Sequence, residues 1–183
     1  MAKRSNKLIY LLGLLILFPI VVYSEIATLD VSNTHIITSN TNLRRLLVKL
    51  DISNIPDNCQ IDYAQVSFTN FLPSNTNSVV TLLSASLLIN WDLNATWTYP
   101  WQTAGGDFDS THTTRFTITS GAEHGVILDI TDFLKSWISN GNYGMILMRP
   151  KSEGYGFKTN ISGLRNLIAN NAEIKVYYTR KEQ

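Results

Sequence analysis

Short runs with a two-residue hydrophobic period, each closed by turn residues, constrain the fold of this chain more than any other feature. In residues 44–52, "RRLLVKLDI", Leu46, Val48 and Leu50 oppose Leu47, Lys49 and Asp51, before Pro56, Asp57 and Asn58 break the run. Similar runs occupy residues 61–71, 79–89, 114–119, 125–130, 143–149, 156–160 and 172–179, bounded by Gly, Asn or Ser clusters. Seven or eight short strands at this spacing predict an all-β domain, a jelly-roll-like antiparallel β-sandwich. A hydrophobic content of 44% supplies a core for one domain over residues 25–183. One segment departs from the β pattern. "DITDFLKSWISNGNYG" offers Thr131 or Asp132 as N-cap, Phe133, Leu134, Trp137 and Ile138 at helical spacing, and Gly141 as terminator. It predicts one short helix covering an end of the sandwich, and a further helical turn is readable around residues 164–169.

Residues 1–24 obey different rules. Lys3, Arg4 and Lys7 precede an uncharged stretch over residues 8–22, and Val22 and Ser24 suit a cleavage site. These features predict a secretory signal cut after Ser24, or, if uncut, a membrane anchor through residues 8–23. Fifteen residues rising about 1.5 Å each reach roughly 22 Å, less than a hydrocarbon core of about 30 Å, which favours the cleaved form. Either way the domain is expected to be secreted or at the cell surface.

The segment takes three of the 15 basic residues and none of the 14 acidic ones, so the domain left behind is slightly acidic. Nucleic acid, which is bound through clustered positive charge, is not an expected partner. The single cysteine, Cys59, leaves no internal disulfide and reads as a small buried residue, or as one side of an intermolecular bridge. His35, His112 and His124 are far apart with no helical His-x-x-x-His, so zinc is not expected. No Gly-x-Ser-x-Gly elbow occurs, and a non-catalytic role is the expectation.

The richest chemistry is in residues 96–109, "TWTYPWQTAGGDFD". Sugars bind through apolar C–H faces stacked on exposed rings and through hydrogen bonds to planar polar groups. Tyr99, Trp101, Asp107 and Asp109 have those chemical types and form the expected carbohydrate-contact set. Trp97 reads as core, as do Trp91 and Trp137. Asp107 and Asp109 are also carboxylates of the kind calcium takes, although two do not complete six ligands. Asn94-Ala95-Thr96 and Asn160-Ile161-Ser162 match the glycosylation acceptor pattern, and a sugar on Asn94 would stand beside the aromatic loop.

The order of these pieces is more specific than any one of them. "RRLLVKLDISNIPDNCQIDYAQVSF", "WDLNATWTYPWQTAGGDFD", "VILDITDFLKSWISNGNYGMIL" and a closing "AEIKVYY" together resemble the DNRLRE-type domain, over roughly residues 28–180. That family includes carbohydrate-binding modules and domains associated with archaeal disaggregatase. The resemblance implies an extracellular, non-catalytic β-sandwich that binds polysaccharide or cell-surface glycan and matrix. A second expectation, from a different class, is a structural subunit of an extracellular filament or surface layer. Such a subunit would self-associate by adding residues 25–38 to the sheet edge of the next copy.

Overall fold

The structure, a computed structural model, describes residues 24–68, 79–119, 125–153 and 161–181. The predicted signal or anchor, apart from Ser24, lies outside the described residues, as do the run at 156–160 and Asn160. The strands are β1 (Ser24–Thr38), β2 (Arg44–Asp51), β3 (Cys59–Phe68), β4 (Val79–Leu87), β5 (Phe108–Thr119), β6 (Val126–Asp129), β7 (Met145–Met148) and β8 (Glu173–Arg180). Two helices interrupt them, α1 (Thr131–Asn140) and α2 (Ile161–Asn171), with a 3-10 turn at Lys151–Glu153. Half of the described residues lie in strands, so the all-β expectation holds.

All the pairings are antiparallel, in the order β5-β4-β7-β2-β1-β8-β3-β6. The two end strands, β5 and β6, approach each other, so the sheet is nearly closed and barrel-like. β1 serves both halves of this sheet. Its first part, Ser24 to Leu29, pairs with β8, and its second part, Asp30 to Thr38, pairs with β2. A register shift between Val31 and Asn33 marks the handover. The segment expected to be a free arm for strand exchange is therefore committed inside its own sheet.

The interior is filled from one face of every strand. Leu46, Val48 and Leu50 of β2 meet Ala64, Val66 and Phe68 of β3, Leu82 of β4, Met145 and Leu147 of β7, and Ile174 and Val176 of β8. Both helices close this core, α1 through Phe133, Leu134 and Trp137, and α2 through Ile161, Leu164, Leu167 and Ile168. The expectation of one short helix is thus corrected to two. α2 forms because its four apolar side chains recur at helical spacing over a space the strands leave open.

The start of α1 also differs from expectation. Ile130 occupies the cap position without a side-chain cap. Thr131 Oγ1 instead donates to Asp129 Oδ1 at 2.6 Å and accepts the Ala64 N–H at 2.9 Å, tying the helix to β3. Gly141 ends the helix as predicted, its N–H donating to the Trp137 carbonyl at 2.9 Å.

Candidate functional site

The aromatic loop lies across the outer face of one half of the sheet. Leu47 of β2, Leu83, Ala85 and Leu87 of β4, and Ile146 and Met148 of β7 point away from the main core. Trp91, Ala95 and Trp101 cover them, making a second apolar cluster against which Trp97, Phe108 and Tyr143 pack. Each covering ring is fixed by a polar bond. Trp91 Nε1 donates to the Tyr143 carbonyl at 2.8 Å, and Trp101 Nε1 donates to the Thr96 carbonyl at 2.8 Å. Arg45 is buried beneath the loop, its guanidinium 4.7 Å from the Trp97 ring centroid and 5.5 Å from that of Phe108. Its Nη1 donates to the Gly105 carbonyl at 2.6 Å. Gly105 has φ +94°, and a Cβ there would strike the Arg45 guanidinium, so the glycine lets the loop close over the cation.

The four expected contact residues part company here. Trp101 is only 6% exposed and presents no face to a sugar, because its ring is consumed by the second cluster. Tyr99 is 60% exposed at the loop surface. Asp107 holds the loop from within, accepting the Gln102 and Thr103 N–H groups at 2.7 Å each. Asp109 Oδ1 accepts from Thr111 Oγ1 and the Thr111 N–H, and Oδ2 pairs with His112 Nδ1 at 2.7 Å. The Thr111 hydroxyl and then His112 hold its carboxyl far below the usual carboxylate range. Asp107 and Asp109 are thus engaged with different partners, and among the described residues no group of three or more His, Cys, Asp or Glu side chains gathers as a metal set. Asn94 is exposed in a turn fixed by Asp92.

Beside the loop a groove of about 640 Å³ opens between the β4–β5 end of the sheet and α1. Its apolar part includes Leu88, Phe133, Trp137 and Tyr143, and its polar part includes Asp109, His112, Asp132, Ser136 and Asn140. Trp137 forms part of the floor, held by an Nε1 bond to Ser86 Oγ at 2.8 Å. Asp132, Ser136 and Asn140 follow at four-residue intervals, so α1 presents them in one row, about 6 Å apart along its axis. Asn140 Nδ2 donates to Ser136 Oγ at 3.3 Å. The His112 imidazole is raised in pKa by its bond to Asp109 and by that carboxylate's charge, with a smaller contribution from Asp132. A shallower depression adjoins the groove at Leu88 and includes Gln102, Thr103 and Asp107 in its lining. The exposed Leu88 side chain stands where the two meet.

Of the expected set, only Asp109 lines the main groove. The residues that sequence reading passed over carried one usable signal: the Asp132-Ser136-Asn140 row runs beside the apolar pair Phe133 and Trp137. No family model matches the chain, and no curated protein matches it.

Proposed function

We propose that this protein is a secreted or cell-surface, non-catalytic module of the DNRLRE type that binds polysaccharide or cell-surface glycan. The observation that carries the reading is the groove at Leu88, where apolar surface and a row of hydroxyl, carboxamide, imidazole and carboxylate groups face one space. That combination suits a ligand with apolar ring faces and a polar rim. The contact set is Leu88, His112, Asp132, Ser136, Asn140 and Tyr143, with Asp109 positioning His112 and Tyr99 offering an exposed ring nearby in sequence. A jelly-roll-like sandwich goes with this reading. The strand order divides into β5-β4-β7-β2 and β1-β8-β3-β6, four strands each, which supports two sheets joined through β1.

The test is a glycan-array screen of the purified protein, with and without calcium, beside Asn140→Ala and Trp101→Ala variants. Binding that weakens about tenfold in Asn140→Ala supports the groove, that factor corresponding to one lost charged or bidentate hydrogen-bond arrangement. Binding lost only in Trp101→Ala, with the fold intact, returns the contact to the aromatic loop. A folded protein that binds no glycan and sediments as long assemblies points to the structural-subunit reading instead.

A further inference from the structure

We infer that the groove selects a sugar bearing a free ammonium, an amino sugar unit, over its N-acetylated form and over a uronic acid. This inference rests on the glycan-binding reading and adds a charge preference to it.

The charged residues lining the groove are Asp109, His112 and Asp132, with no Lys or Arg among the described lining residues. Tyr143 is the remaining titratable group there. Asp109 is spent internally. Its Oδ1 takes two bonds from Thr111, and its Oδ2 faces His112 Nδ1 at 2.7 Å, so protonated His112 and Asp109 form a neutral unit. Asp132 differs: no hydrogen bond or ion pair joins its exposed carboxylate to any described residue, yet its charge is felt at His112. It is the uncompensated charge of the groove. The next positions in the row, Ser136 and Asn140, supply a hydroxyl and a carboxamide about 6 and 12 Å farther along α1. An ammonium set against Asp132 would leave ring hydroxyls within reach of that row, while a uronate carboxylate would meet like charge.

A charge pair at this exposure is worth a modest factor, about fivefold in affinity. The experiment compares dissociation constants of the purified protein for glucosamine oligomers, for the same oligomers fully N-acetylated, and for an oligouronate of equal length. It is run at about pH 5.5, where sugar amines and His112 are both protonated. The expected result is the glucosamine oligomer binding about fivefold more tightly than the acetylated one, and the uronate binding most weakly. In Asp132→Asn the ratio between the first two falls to about one. Raising the salt to about 0.5 M shrinks the ratio as well, because the pair is solvent-accessible. Acetylated oligomers that bind as well as or better than the free amines, or a uronate that binds best, overturn the charge preference and leave glycan binding standing. A ratio that survives Asp132→Asn in a variant with an unchanged melting curve overturns the assignment to Asp132. Failure of all three probes on the folded protein overturns the amino-sugar preference, and the glycan-array screen then decides glycan binding by itself.

Discussion

Over β2, β4, β7 and the second part of β1 the outer face of the sheet is roofed by the loop that carries Trp91, Ala95 and Trp101; over the first part of β1, β8 and β3 no described residue forms such a roof. On the roofed side β7 is apolar on both faces, and all four of its residues, "MILM", are buried. On the bare side β8, "EIKVYYTR", alternates, sending Ile174, Val176 and Tyr178 inward and leaving Lys175 and Tyr177 half-exposed. Tyr177 meets Tyr63 of β3 with ring centroids 6.0 Å apart, and Ile26 of β1 stays 58% exposed beside them. A strand that must be covered twice loses its period, and that loss is readable before any contact is known.

The largest expected difference between the faces comes from removing one ring on each. Trp101→Ala should cost about 3–5 kcal/mol, because it empties a packed cluster, whereas Tyr177→Ala should cost no more than about 1 kcal/mol. Urea unfolding midpoints measure both, and equal losses would erase the distinction. Gly144, with φ +82°, leads into β7, and a Cβ there would run into the Val48 carbonyl oxygen. Gly144→Ala should therefore destabilise the roofed side by at least about 2 kcal/mol in the same measurement. Next comes Arg45→Met, expected to cost about 2 kcal/mol through loss of the cation between Trp97 and Phe108 and of the bond to Gly105. Arg45→Lys should recover little of it, since an ammonium lacks the planar face that both rings meet.

The smallest effect belongs to the bare side and depends on pH. Glu25 accepts from Arg180 Nε at 2.7 Å and from the Tyr178 hydroxyl at 3.0 Å, and those bonds hold its carboxyl below its ordinary value of 4.5. The folded state thus favours the ionised form. The stabilisation is present above the unfolded carboxyl's pKa and is lost as pH falls through the lower folded value. Glu25→Gln should flatten the acid limb of a melting-temperature profile: the variant melts slightly below the parent protein at neutrality, and the two converge as the pH falls below about 4.5.

Most strands were legible because alternation and turn residues agree locally: β2, β4 and β8 begin within a residue of where the pattern puts them. β1 was not legible as part of the sheet. It buries only Ala27, Leu29 and Ile37, and its change of partner at Val31 and Asn33 breaks the period that would announce it. At the candidate site, residue types alone separated Asp109 from neither Asp107 nor Trp101. What separates them is the direction each side chain takes once the loop folds over β4 and β7. The groove joins three stretches of chain, around Ser86–Leu88, Asp109–His112 and Asp132–Tyr143, and His112 acquires its place there only when β5 and α1 are brought to the same groove.

The pairing of β1 with β8 also orders events in time. Glu25 and Arg180 are 155 residues apart, and every bond between Ser24–Leu29 and its neighbour waits for residues made long afterwards. A ribosome delivers β2 within moments of β1, so the second part of β1 can dock early. The first part stays an open edge until β8 emerges. Closure of the sheet therefore waits for β8, and a chain stalled before residue 173 would expose the edges of both β1 and β3 to whatever strand came near.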